Sequence, residues 1–191
     1  MLDRSLVLPN LIARRAEEFP DRVFLQHVDG SEMTYADLHQ RALRWAGGLA
    51  KIGVKRGDTV LVMLPNSFDA VAAWLAISLA GAMEVPVNNG YRGKILEYII
   101  NNSTARVMIT CAQFFERVDF VAAGLETLEQ VLVTDDAAPR IASANPGALK
   151  SVRSASGVLE AAAPLEADGP MHFDIATIVY TSGTTGPSKG V

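Results

Sequence analysis

The sequence predicts an α/β fold, a doubly wound and mainly parallel sheet with helices on both faces. Three observations lead there. Segments of helical periodicity alternate with short β-branched runs; those runs are apolar without alternation, as in strands covered on both faces; and the last of them enters a loop of glycine, serine and threonine. A chain of 191 residues, 49% hydrophobic and 20% charged, is long enough to bury a core in one or at most two domains.

A short helix is expected from Pro9 to Phe19, opening on a proline whose missing N–H costs nothing there and closing at Pro20. Val23 to Val28 reads as a strand closed by the Asp29-Gly30 turn, with a second short strand through Glu32 and Met33. From Tyr35 to Ile52, Leu38, Ala42, Trp45, Leu49 and Ile52 recur at steps of four and three and line one helical face. Thr34 with Asp37 supplies its N-terminal cap and Gly53 its C-terminal stop. After the Gly57-Asp58 turn, Thr59 to Leu64 is a buried strand, and Ser67 caps a helix over Phe68 to Ala80 that stops at Gly81. Met83 to Val87, Arg106 to Thr110 and Gln130 to Thr134 are further strands, separated by helices over Tyr91 to Asn102 and Ala112 to Gly124. The segments group as a strand-helix core over 1–134, an irregular excursion over 135–173 with room for one short helix, and a strand with its loop over 174–191, the strand being Ile175 to Tyr180.

Composition excludes several function classes. With 17 Lys and Arg against 21 Asp and Glu, a net charge of −4 gives no electrostatic reason to bind nucleic acid or an anionic membrane. The most apolar stretch, Ala70 to Ala82, is too short to span a bilayer and is flanked by Asp69 and Glu84, and the N-terminus does not read as a signal peptide. A single cysteine, Cys111, rules out an internal disulfide and fits a reducing cytoplasm. His27, His39 and His172 show no metal-ligand spacing and read as structural or exposed; Cys111 reads as a small buried hydrophobe, and Trp45 and Trp74 as core.

The chemistry is expected in the loop. Gly183, Gly186 and Gly190 allow positive φ and close approach to an anion, Ser182, Thr184 and Thr185 add hydroxyl donors, and Lys189 adds a full charge. Together they describe a polyphosphate cradle. The spacing is neither that of a Walker A loop nor that of a dinucleotide-binding Gly-x-Gly-x-x-Gly. In an arbitrary loop the same residues would be turn formers and Lys189 a solvated charge.

Tyr180 to Gly190 resembles, nearly residue for residue, the phosphate loop of the adenylate-forming superfamily of acyl-CoA synthetases, luciferases and peptide-synthetase adenylation domains. The family pattern, aromatic-Thr-Ser-Gly-Thr-Thr-Gly-x-Pro-Lys-Gly, is kept except that Pro187 and Ser188 replace x-Pro. Thr34-Tyr35-Ala36-Asp37-Leu38, Gly57 through Leu64-Pro65-Asn66-Ser67, and Leu79-Ala80-Gly81-Ala82 with Val85-Pro86-Val87-Asn88 are similar to the family's earlier segments in the same order. Within the superfamily, Val85 to Arg92 is more similar to CoA ligases than to peptide-synthetase domains, which usually carry Asp-Pro here.

The resemblance implies the N-terminal part of the large domain of an AMP-forming acyl-CoA synthetase of the kind found in fatty acid metabolism. Such an enzyme uses ATP, Mg2+ and CoA and activates a carboxylic acid through an acyl-adenylate. It implies that Thr181, Ser182, Gly183, Thr184, Thr185, Gly186 and Lys189 hold the phosphates, with no nucleophile or general base from the protein. The family's base-binding, metal-binding and late lysine positions would lie beyond Val191, so the chain alone is expected not to catalyse the reaction. Two other readings stand beside it: a truncated, non-catalytic unit that binds a phosphate compound or a partner, and a different carboxylate-adenylating enzyme. A chain ending on a strand is further expected to expose a sheet edge and apolar surface, and so to self-associate.

Overall fold

A computed structural model of the protein describes residues 6–134, 149–166, 169–181 and 189–191. Helix α1 (Leu8–Glu18) carries Pro9 in its first turn and ends where the Phe19 N–H donates to the Arg15 carbonyl. Strands β1 (Val23–Gln26) and β2 (Glu32–Thr34) form an antiparallel hairpin. The first was expected to reach Val28, but the turn begins earlier: His27 N–H donates to the Ser31 carbonyl, Gly30 N–H donates to the His27 carbonyl, and Val28 is 99% exposed. The Ser31 hydroxyl and N–H both donate to the Asp29 carboxylate, which holds its pKa down at about 2.

Helix α2 (Tyr35–Lys51) starts with the predicted cap in reciprocal form: Asp37 N–H donates to the Thr34 hydroxyl at 3.1 Å, and Thr34 N–H donates to the Asp37 carboxylate at 3.2 Å. Its apolar stripe of Leu38, Ala42, Trp45 and Leu49 is buried. Strand β3 (Thr59–Met63), α3 (Phe68–Leu79), β4 (Met83–Pro86), α4 (Gly93–Asn102), β5 (Val107–Thr110), α5 (Ala112–Val121) and β6 (Gln130–Val133) follow in strict alternation. Ser67 caps α3 by accepting from the Ala70 N–H at 3.2 Å. Helix α4 begins two residues later than expected because Arg92 is extended, and α5 gives way to a 3-10 turn over Ala122–Gly124.

All neighbours in the five-stranded sheet are parallel, in the order β4-β3-β5-β6-β7, where β7 is Ser151–Ser154. The registers pair Leu61 with Val85 on one side and with Met108 on the other, and these central residues are fully buried. Helix contacts fall into two groups, α1 with α2 and α3, and α4 with α5. That is the layering right-handed crossovers impose on a doubly wound sheet.

Strand β7 corrects the expectation of irregular chain over 135–173. Ser-Val-Arg-Ser has one apolar residue among polar ones, a loop composition, yet as an edge strand it is covered on one side only, and pairing Val152 with Val131 satisfies its backbone. A single π-helical turn, Ser156–Glu160, supplies the one short helix. The chain then lies so close on α2 that a Cβ at Gly47 would sit 2.0 Å from the Ala163 carbonyl oxygen, and one at Gly48 2.7 Å from Leu159 Cα. The contact is fixed by the Leu165 N–H donating to the Leu43 carbonyl at 2.9 Å. Residues 135–148 of the expected excursion lie outside the described residues.

Candidate functional site

The expected strand Ile175 to Tyr180 is not a sixth member of the parallel sheet. It touches the edge at one residue, Thr177 opposite Glu84, through Glu84 N–H donating to Ala176 and Ile178 N–H donating to Glu84. Past Ile178 the chain turns off the sheet to pair with its own continuation. Tyr180–Thr181 (β8) and Lys189–Gly190 (β9) form an antiparallel hairpin, extended by two reciprocal bonds between Val179 and Val191. Pairing within the chain satisfies these backbone groups, and Ile175 and Val179 stay 62% and 47% exposed.

The hairpin is anchored at two points. Tyr180 Oη donates to Asn102 Oδ1 at 2.7 Å at the end of α4, and burial raises the Tyr180 pKa. Upstream, Arg56 meets Asp174 at 2.5 Å, and Asp174 also accepts from the Met171 N–H; that backbone donor first and the guanidinium second lower its pKa. A Cβ at Gly190 would come within 2.8 Å of Ile178 Cγ2, so a larger residue there would displace that side chain.

The register puts Thr181 directly opposite Lys189. Cross-strand partners share a face of a hairpin, so the hydroxyl and the ammonium project from the same side at the neck of the loop. Both residues are exposed, and among the described residues no carboxylate lies within ion-pair distance of Lys189. An uncompensated ammonium beside a hydroxyl is a donor set for phosphoryl oxygens. The other expected loop residues, Ser182, Gly183, Thr184, Thr185 and Gly186, lie outside the described residues. Among the described residues, no three His, Cys, Asp or Glu side chains converge to hold a metal ion.

The loop was expected at the carboxyl edge of the sheet, where such folds bind ligands. In this strand order that place is between β3 and β5, and it is filled by protein hydrogen bonds. The Thr110 hydroxyl donates to the Met63 carbonyl at 3.0 Å, Asn89 Nδ2 donates to the Leu64 carbonyl at 2.8 Å, and Arg117 donates to the Asn89 carbonyl. The hairpin instead stands beyond edge strand β4, against α4.

Several other residues fall as read. Trp45 is buried, Cys111 is buried after β5, His172 is exposed against Phe173, and Asn88 closes a turn by accepting from the Gly90 N–H. Trp74 does not: it is 37% exposed, because the β1–β2 hairpin stops short of covering the start of α3 and leaves a trough there. Two acids withdrawn from solvent, the half-buried Asp69 and the buried Glu84, belong to no motif of the sequence. Asp69 is paired with Arg41 at 2.8 Å, and Arg41 also holds Glu160 at 2.5 Å; burial raises the Asp69 pKa against the guanidinium. Glu84 stands in the trough, and burial alone pushes its pKa up to about 7. The available signal was a lone acid inside the buried run Met83-Glu84-Val85-Pro86-Val87. Among the described residues no helix is long and apolar enough to cross a membrane.

A family model described as AMP-binding enzyme matches residues 12–191. The chain is 32% identical to a 3-oxocholest-4-en-26-oate–CoA ligase of Rhodococcus rhodochrous, over 98% of its own length and 33% of that protein. It is 30% identical to the phosphinothricin tripeptide synthetase PhsB of Streptomyces viridochromogenes, over 96% of its own length and 14% of that protein. The fold superposes on the anthranilate CoA ligase AuaEII in complex with anthranoyl-AMP with a TM-score of 0.84 at 26% identity, covering 100% of this chain and 35% of the other. The chain thus spans about a third of the CoA ligases it matches.

Proposed function

The chain belongs to the AMP-binding enzyme family, and from that premise we propose that it is the phosphate-loop portion of an ATP-dependent, AMP-forming acid–CoA ligase. In the whole protein the carboxylate of an organic acid attacks the α-phosphorus of ATP, pyrophosphate leaves, and the CoA thiol then displaces AMP from the acyl-adenylate. The part of this chain is to hold the leaving pyrophosphate, which is positioning and charge stabilisation and needs no proton transfer by the protein. The observation that carries the reading is the register of the hairpin, which pairs the Thr181 hydroxyl with the uncompensated Lys189 ammonium on one face. We assign the phosphate contacts to Thr181, Ser182, Gly183, Thr184, Thr185, Gly186 and Lys189. Mg2+, when bound, would shield the phosphate charge.

The relation to CoA ligases over a third of their length further supports two proposals: the 191-residue chain by itself forms no acyl-CoA, and it works in the cytoplasm, where ATP and CoA are found. The test is ATP–pyrophosphate exchange by the full-length protein. Lys189→Ala is expected to lower the rate by about 100-fold, the size typical of losing one oxyanion donor, with little effect on folding. An undiminished rate overturns the reading. The similarity to a peptide synthetase at nearly the same identity favours a second reading, in which the adenylate passes to an acceptor other than CoA. AMP release that does not depend on CoA would select it.

A further inference from the structure

A trough of about 620 Å3 lies between β1 and the start of α3, a volume in the range of small-molecule sites. Among the described residues, none that lines it belongs to the phosphate loop. Leu25, Phe68, Val71 and Trp74 wall it, and Glu84 is its acid. The residue is 9% exposed, and its backbone is held on both sides by Ala176 and Ile178. Its carboxyl group has no hydrogen-bond or ion-pair partner among the described residues.

A carboxylate taken out of water without a counter-ion is unfavourable, and even the half-buried Asp69 has a guanidinium beside it. Glu84 instead opens into a cavity walled by the rings of Phe68 and Trp74 and by the His27 imidazole, which packs edge-on against Phe68 and lies 3.2 Å from its own acid, Asp29. Trp74, 37% exposed, presents ring surface to whatever enters. A carboxylate together with aromatic faces is complementary to an organic ammonium ion: the acid meets the charge and the rings meet both the cation and its apolar carrier. A neutral or anionic ligand would leave the acid unpaired.

We propose that this trough binds a small organic cation, a primary ammonium group on an aryl or alkyl body, with Glu84 as counter-ion and Phe68 and Trp74 packing the body.

The full-length protein, held above the Glu84 pKa, is titrated by calorimetry with 2-phenylethylamine and with its neutral analogue 2-phenylethanol. The amine is expected to bind at least about tenfold more tightly, the order of magnitude of one desolvated cation–carboxylate contact. In Glu84→Gln, checked for folding by circular dichroism, the preference is expected to vanish while the alcohol binds as before. Equal affinities in the wild type, a preference that persists in Glu84→Gln, or capture of a lysine- or arginine-bearing peptide with no binding of the amine would each overturn the proposal. The wild-type comparison decides by itself should the variant fail to fold.

Discussion

Replacing Glu84 by glutamine isolates the largest electrostatic strain in the described core. Burial lifts this carboxyl from its usual 4.5 to about 7. Each pH unit between the unfolded and folded pKa corresponds to about 1.4 kcal/mol, so that gap makes ionised Glu84 cost about 3 kcal/mol of folding stability. The sign follows from proton counts. Well below pH 4.5 the side chain is neutral in both states and glutamine is a close mimic. Between 4.5 and about 7 the folded protein keeps a proton that the unfolded chain gives up, so wild-type stability falls as pH rises. Above about 7 both states are ionised and the loss is complete. Urea unfolding of wild type and Glu84→Gln across this window should show the variant's advantage growing from near zero to about 3 kcal/mol, with unchanged m-values. His39, whose pKa burial lowers, is the same in both proteins and cancels in the difference. A difference that stays constant with pH would refute the argument, since it would mean that Glu84 is solvated or paired.

Gly47→Ala would gain helix propensity of up to about 1 kcal/mol, but its methyl would meet the Ala163 carbonyl oxygen at 2.0 Å. Overpacking against backbone costs about 1–3 kcal/mol, so a net loss of about 1–2 kcal/mol is expected in urea unfolding. Tyr180→Phe removes the bond to Asn102, worth about 1 kcal/mol, and should speed amide exchange at Val179 and Val191 by up to about tenfold without changing global stability. We further expect the exposed residues Phe173, Ile175, Val179 and Val191 to drive self-association, so sedimentation should show concentration-dependent oligomers that Val179→Lys weakens.

The alternation of strand and helix was legible because each central element carries its own signal. Thr59–Met63 is apolar on both faces, α2 has its cap and stripe, and Gly53 and Gly81 punctuate with φ of 97° and 71°. The family was legible in the loop and in the ordered segments before it. Elements whose identity depends on a neighbour were hidden. Ser151–Ser154 becomes a strand because β6 offers it a ladder, and Ile175–Val179 loses most of its ladder because the chain finds its own continuation opposite.

The chain itself therefore determined the fold class, the order of strands and helices and the caps of α2 and α3, since periodicity, capping and glycine placement act over a few neighbours in sequence. Only the tertiary structure decided that Thr181 faces Lys189 at the neck of a hairpin, that the hairpin leans on α4 and lies off the sheet, and that Glu84 is buried with no counter-ion among the described residues. Those three facts depend on which distant segments come together, and register and desolvation exist only once they have.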